Sequence, residues 1–477
     1  MLEPGLGEVV KTSAYVGSKH LLVCIRVGGA ATDEDLSELR RLLCPVESAP
    51  VDHGPGDGPP QWLGAGDWRL IARPRRGAPQ GFQIERFALP NGEYVAAVFD
   101  DAERHVWVPF DIEEALLNYV SEAWCRYVPR GALSPWELSM YYRVKPLIPR
   151  RAQIWGRRLL ARRKLNLSFP RWPIEDGVLS LLQFYGFCLL LALGKGSTTF
   201  RWFWPRGYRA ALILTHDVES SAGLERALEL ADIEQERGFR SSFNIVASQY
   251  PIDHGVVREL KDRGFEIGVH GLRHDRSLFA SHEAFVRQLP AVEEAARRLG
   301  AQGFRSPSTH RVYEWLAELP VLYDSSVPHS DPFEPQPGGC CTLWPYAIGG
   351  VIELPYTMSQ DHTLFTLLER RSADAWLRQV EAIEERHGLI QCLSHPDPGY
   401  LGDPDKRALY VELLDALAER TDLWRSLPRD VAQWWRVRAV ADPADPDLTY
   451  GSITRAEHHA VLEMPSPRRA GEAGYTT

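Results

Sequence analysis

ALILTHDVE (Ala211–Glu219) opens on an apolar run and ends on two acids, Asp217 and Glu219, with Val218 between them. A short apolar run of this kind reads as a buried strand. AGLERALELADIEQERG (Ala222–Gly238) follows with helical spacing and ends on glycine. The couplet then recurs. SFNIVAS (Ser242–Ser248) precedes the helical GVVRELKDRG, and FEIGVH (Phe265–His270) precedes SHEAFVRQLPAVEEAARRLG. GFRSPS (Gly303–Ser308) precedes YEWLAELP, which VLYDSS (Val321–Ser326) follows. VIELPYTM (Val351–Met358) precedes ADAWLRQVEAIEERHG, and LIQCLSHP (Leu389–Pro396) precedes DKRALYVELLDALAER. Seven strand candidates separated mostly by helices predict a parallel α/β domain. Alternation this regular from 208 to 438 favours a closed or nearly closed barrel over an open sheet.

The reactive side chains all fall at the carboxyl ends of these strands, where parallel barrels place their active sites. Asp217 and Glu219 end the first, His270 ends the third with His274 in the loop beyond, and Arg305, Asp324 and His395 end later ones. Residues two apart on a strand share a face, so Asp217 and Glu219 point into the mouth while Val218 packs away. Two carboxylates there repel unless a cation or a proton separates them. His270 and His274 supply neutral nitrogen donors that chelate one ion if their loop takes a helical turn. One carboxylate and two histidines leave positions open, the pattern of a catalytic rather than a structural zinc site. The second carboxylate can then act as general base on metal-bound water. His395 can protonate a leaving group, with Arg305 fixing the base and Asp324 fixing the histidine. Singly, each feature also reads as a turn, a cap or a surface ion pair; the set in this order points to metal-dependent hydrolysis.

From Tyr208 to Arg438, about half of the chain, these residues resemble the polysaccharide deacetylases of the NodB-homology type (carbohydrate esterase family 4). LTHDVE resembles the family's first motif, which implies Asp217 as base and Glu219 as metal ligand. HGLRH resembles its HxxxH metal motif, implying His270 and His274. FRSP implies Arg305 orienting the base with Pro307 shaping the wall. YDSS implies Asp324, and LSHP implies Leu393 as pocket wall and His395 as general acid. The resemblance further implies a distorted (β/α)7 barrel, one divalent ion, most often Zn2+, and removal of N-acetyl or O-acetyl groups from a carbohydrate or glycoconjugate precursor. The chain departs from the common TFDDG first motif: His216 replaces the aromatic residue and Glu219 takes the metal role, so the roles of Asp217 and Glu219 are open to exchange. Ser308 and Thr309 stand where glycine is common. His216 is a candidate pocket residue, and ELPYTMSQDHTLF brings Asp361 and His362 near the site as candidate substrate contacts. The alternatives are an amidohydrolase for a small amide or cyclic ureide, and a non-catalytic glycan-binding barrel.

The rest of the chain frames this barrel. A length of 477 residues implies about two to three domains. Segment 1–130 reads as a smaller α+β domain, 131–205 as a helical basic and apolar connection, 206–440 as the barrel and 441–477 as a flexible tail. The net charge of −9 argues against a nucleic-acid binder. Seven scattered cysteines without a CxxC pair read as free thiols, Cys340 and Cys341 as loop residues. MLEPGLGEVVKTSAYVGSK lacks the features of a signal peptide, so the expected location is cytoplasmic, with a peripheral position at the inner membrane surface as a variant. GVLSLLQFYGFCLLLALG (Gly177–Gly194) reads as a buried helix rather than a span. The basic region Arg150–Arg171 reads as a solvated or interdomain face; its sharper reading is a contact for a lipid-linked substrate or a membrane surface.

Overall fold

Ala210–Val218 is buried at every one of its nine positions, as a strand covered on both faces must be. In this computed structural model, which describes residues 11–16, 19–24, 37–127, 150–165, 167–334, 336–457 and 459–465, that strand belongs to a nine-stranded sheet. Val351–Glu353, Tyr323–Asp324, Gly303–Phe304, Glu266–Val269, Ser242–Ile245, Ala210–Val218 and Leu389–Ser394 lie side by side in that order, every pair parallel. Tyr346–Ile348 adds an antiparallel edge, and Leu423–Arg425 pairs with the start of Ala210–Val218. The seven strands foreseen in the sequence are all present. Between Val351–Glu353 and Leu389–Ser394 no ladder forms among the described residues. The gap is bridged by the segment after Glu353: Met358 N donates to Gln391 O at 3.1 Å, and the Thr357 hydroxyl donates to Leu389 O at 2.6 Å. The result is a distorted (β/α) barrel.

Local chemistry sets the helix boundaries. The Ser220 and Ser281 hydroxyls accept from Gly223 N and Ala284 N, starting helices Ser221–Glu236 and His282–Leu299. Gly300 at φ 62° closes the second of these, in the left-handed conformation glycine adopts without penalty.

Before the barrel, Trp68–Ala72, Gln61–Ala65, Phe82–Ala88, Tyr94–Asp100 and His105–Trp107 form a five-stranded antiparallel sheet in that order. Helix Ile112–Val120 packs on it, with the Asp111 carboxylate accepting from Glu113 N and Glu114 N. Helix Gly177–Leu193 is apolar on nearly all sides because it is buried on nearly all sides. Phe184 meets Phe87 and Phe110 of the N-terminal sheet, and Gly186 faces Ile453 and Ala460. Among the described residues no helix is long and apolar enough to cross a membrane. The strand foreseen over Leu21–Val27 is seen as Lys19–Cys24; its remaining residues, and 131–149 of the expected connection, lie outside the described residues.

The C-terminal segment corrects an expectation. Tyr450–Arg455 pairs with both Ser197–Arg201 and Ala460–Glu463 in a three-stranded antiparallel sheet. Ile453, Ala460 and Leu462 are buried from it, so this part of 441–477 is built structure. Its Pro- and Asp-rich composition masked a two-residue alternation that is enough to cover one helix face. Cys44, Cys125, Cys188, Cys340, Cys341 and Cys392 are free thiols, Cys340 and Cys341 both buried in a loop.

Candidate active site

Glu219, His270 and His274 converge just past the carboxyl ends of the first and third strands, with their donor atoms within 4.8 Å of one another. His274 Nε2 lies 2.8 Å from Glu219 Oε1. The two histidines meet without the helical turn expected from their spacing. Gly271, at φ 66°, turns the chain directly after His270, and a side chain there would strike the Pro307 ring at 2.8 Å. Pro307 therefore braces the loop that carries both imidazoles.

His270 is buried and tethered by one nitrogen only: Nδ1 donates to Arg305 O at 3.1 Å, while Nε2 is buried with no hydrogen-bond partner. An unsatisfied buried nitrogen costs about 1–3 kcal/mol unless a ligand takes its lone pair. Burial pushes the His270 imidazolium down to about 4, so the ring is neutral with that lone pair free. Burial pushes the Glu219 carboxyl up, but the His274 hydrogen bond and the His395 charge outweigh it and hold it at about 2. One anionic carboxylate and a backbone-anchored neutral imidazole, joined by His274, fit a divalent cation of the zinc type.

Asp217 stands beside this group, buried, with Oδ2 3.7 Å from His270 Nδ1. Its other oxygen is held twice: Asn244 Nδ2 donates to Oδ1 at 2.9 Å and an Arg305 guanidinium nitrogen at 3.1 Å. Burial pushes the Asp217 carboxyl up, yet His270, Arg305, His395 and the Asn244 hydrogen bond together keep it below the ordinary carboxylate range. Arg305 is fully buried and fixed in turn by Thr215 Oγ1, Ser325 O and Ser325 Oγ at 2.8–2.9 Å. Asn244 was not singled out in the sequence. It pairs directly opposite Asp217 in the sheet, and Gly268 on the next strand leaves room for it. A lone amide in the apolar run SFNIVAS was the available signal.

His395 closes the site from the opposite side, with Nε2 3.8 Å from Glu219 Oε1. Its Nδ1 lies 2.7 Å from Asp361 Oδ1, and its backbone N–H donates to Asp361 Oδ2 at 2.9 Å. Burial pushes the imidazolium down, but the Asp361 charge and hydrogen bond override this and raise it to about 10. Two expectations are corrected here. Asp361 stands behind His395 as its orienting partner rather than in the pocket as a substrate contact. Asp324 does not reach the histidine: its carboxylate accepts from Ser326 Oγ at 2.7 Å and Ser326 N at 3.3 Å, and burial together with the Asp324 charge pushes the neighbouring Glu353 carboxyl well up. The two acids are direct partners across adjacent strands, so strand register fixes that pairing.

A third correction concerns His216. It is fully buried on the opposite face from Asp217, with Nδ1 2.9 Å from Ser394 Oγ and Nε2 2.6 Å from Glu234 Oε1. It is a core residue. Leu393 is buried at the end of Leu389–Ser394, and His362 lies 3.8 Å from the buried Glu334. Asp397, also not singled out, accepts from Glu219 N at 3.0 Å and from the Ser220 hydroxyl, pinning the backbone that carries Glu219.

No family model matches this chain, and no curated protein matches it. Among solved structures it is similar to a candidate polysaccharide deacetylase from Mycobacterium smegmatis, at 20% identity over 50% of this chain and 94% of the other, with a TM-score of 0.40. An allantoinase is similar at 15% identity over 51% and 93% of the two chains, TM-score 0.37. A family 4 carbohydrate esterase from Streptomyces lividans is similar at 17% identity over 46% and 93%, TM-score 0.30. These are likenesses of chain path; the side-chain contacts described above stand on their own.

Proposed function

We propose that this protein is a divalent-metal-dependent hydrolase that removes an acetyl group, N-linked before O-linked, from a carbohydrate or glycoconjugate. The reading rests above all on one arrangement: Asp217 and His395 flank the Glu219–His270–His274 cluster, each held by its own partners. Glu219, His270 and His274 would hold the cation, which when bound polarises a carbonyl and acidifies water. Asp217, with Oδ1 occupied by Arg305 and Asn244, keeps Oδ2 to accept the proton of the attacking water. His395, held cationic by Asp361, keeps its Nε2 proton for the departing group. An amine leaves far more readily once protonated, so a histidine maintained as a cation suits amide cleavage better than ester cleavage.

The test combines metal analysis with acetate release from N-acetylated and O-acetylated sugars, and with ring opening of a cyclic ureide. Asp217→Asn should cut kcat by roughly 10²–10⁴-fold while metal content stays that of the wild type. His270→Ala should lose both metal and turnover. Full activity in the asparagine variant overturns the assignment of the base, and ureide opening without acetate release overturns the substrate class.

A further inference from the structure

The helix Arg150–Lys164 holds seven arginines and lysines and no acid, in a chain whose net charge is −9. It is also where apolar side chains face outward. Trp155 is 68% exposed, Leu160 50%, Leu159 45% and, just beyond the helix, Leu167 40%. These are four of the twelve large apolar side chains that are exposed among the described residues, gathered into thirteen positions. Isolated exposed leucines need no explanation, but a cluster interleaved with arginines does.

The opposite face of the same helix is firmly seated. Ala161 is buried against Phe333 and Leu367. Arg158 Nε donates to Thr366 O at 2.9 Å and Lys164 Nζ to Pro332 O at 2.6 Å, while Arg158 pairs with Glu369 at 2.7 Å. Thr366, Leu367 and Glu369 belong to the turn His362–Leu367 and its flank, which Asp361 starts by accepting from His362 N, while Pro332 and Phe333 come from a separate loop. Asp361 is the residue that orients His395. The helix is thus docked by one face on the segment that follows Asp361 and presents Trp155, Leu159 and Leu160 with the other, while Arg162 at the boundary, 70% exposed, reaches Glu369 at 3.5 Å.

We infer that this face docks on an acidic phospholipid bilayer surface. Tryptophan and leucine among arginines is the composition of a helix that lies in the interface plane, apolar side chains at the acyl boundary and cations at the head groups. A polyanion in solution would account for the arginines and leave the exposed leucines unexplained. An acidic protein is repelled by an acidic surface except where its positive charge is concentrated, and here it is concentrated beside those leucines. The docking is independent of the hydrolytic reading. One extension rests on that reading: with the helix seated on the segment that carries Asp361, the enzyme acts on substrates carried at the bilayer surface.

The experiment is vesicle co-sedimentation of the full chain with phosphatidylcholine alone and with roughly one-third phosphatidylglycerol added. The chain should bind the mixed vesicles only, and lose binding at high salt. Arg162→Glu, a change of two charges, should weaken binding by about 30-fold. Trp155→Ser with Leu159→Ser should weaken it by at least about tenfold. Both variants should hydrolyse a soluble N-acetylated sugar at the wild-type rate, and the double variant should turn over an acetylated glycolipid in mixed vesicles more slowly. Absent vesicle binding, or binding that these changes leave untouched, overturns the inference. So does a self-association abolished by the same substitutions, which would assign the face to a second copy. If no acetylated compound is turned over while vesicle binding persists, the hydrolytic reading and its extension fall and the docking stands.

Discussion

Two buried histidine–carboxylate pairs lie within one strand of each other in this barrel, and only one of them leaves a ring nitrogen open toward the mouth. His216 and Glu234 meet at 2.6 Å, His395 and Asp361 at 2.7 Å. The first pair faces the surrounding helices, where Ser394 takes the other ring nitrogen and the Tyr410 hydroxyl donates to Glu234 at 2.6 Å. All its hydrogen-bonding capacity on the imidazole is spent inside the fold. The second pair faces the mouth, and its free nitrogen looks across 3.8 Å to Glu219. Burial and pairing are the same; the difference is which side of the strand each histidine occupies. A buried histidine–carboxylate contact is therefore no sign of chemistry in itself, and the ring nitrogen left over for a reactant is what distinguishes the two.

Breaking each pair at its histidine separates them most sharply. His395→Gln should lower kcat by roughly 10²–10⁴-fold, the usual contribution of a positioned general acid, with thermal stability and metal content near those of the wild type. His216→Gln should do the reverse. Removing one partner of a buried pair costs about 3–5 kcal/mol, so the folded population should fall while the folded molecules retain their turnover. Activity per folded molecule, set against the denaturation midpoint, reads both outcomes. A His216 variant that is stable and inactive would remove the distinction.

The carboxylates give a smaller version of the same contrast. Asp361→Asn should cost roughly 10–100-fold in kcat, as orienting partners do, because the amide still accepts from His395 Nδ1 but no longer supplies the charge that favours the imidazolium. Glu234→Gln should leave kcat unchanged and lower stability by about 1–3 kcal/mol, since an amide still hydrogen-bonds His216 and Tyr410 but with poorer complementarity. Measuring kcat separately from KM identifies Asp361 as positioning rather than binding substrate: loss of affinity alone would return it to the pocket wall.

What could be read from the sequence follows the same geometry. Runs such as ALILTHD and LIQCLSH show apolar strands that end on titratable residues, and that much fixes the barrel and the carboxyl-end location of Asp217, Glu219, His270, Arg305 and His395. The link from His395 to Asp361 spans 34 residues and is set by the bridging segment that closes the barrel, which has no strand pattern of its own. Asp324 ends a strand just as His395 does, but sequence does not say which neighbour its register provides, and that neighbour is Glu353. His216 and Asp217 are adjacent in sequence and on opposite faces, so proximity along the chain misled where parity would have served. Asn244 and Asp397 escaped because a single polar residue in a strand or turn has no spacing to betray it.

The finest test of the comparison is the glycine that makes room for Asn244. A Cβ on Gly268 would lie 2.0 Å from Asn244 Oδ1, inside any tolerable contact, so Gly268→Ala must turn the amide away from Asp217. Arg305 still holds Oδ1, and one hydrogen bond to a charged group contributes about 1.5–3 kcal/mol, so kcat/KM should fall by about tenfold or somewhat more. Asn244→Ala should show the same loss. If both act through the one amide, the double variant should be no worse than either single one, a coupling that a cycle of the four proteins measures directly. Additive losses would mean that Gly268→Ala disturbs the strand itself. In that event Asn244 would belong with His216 among the residues that hold the barrel, and the two faces would differ by less than the geometry of Asp217 implies.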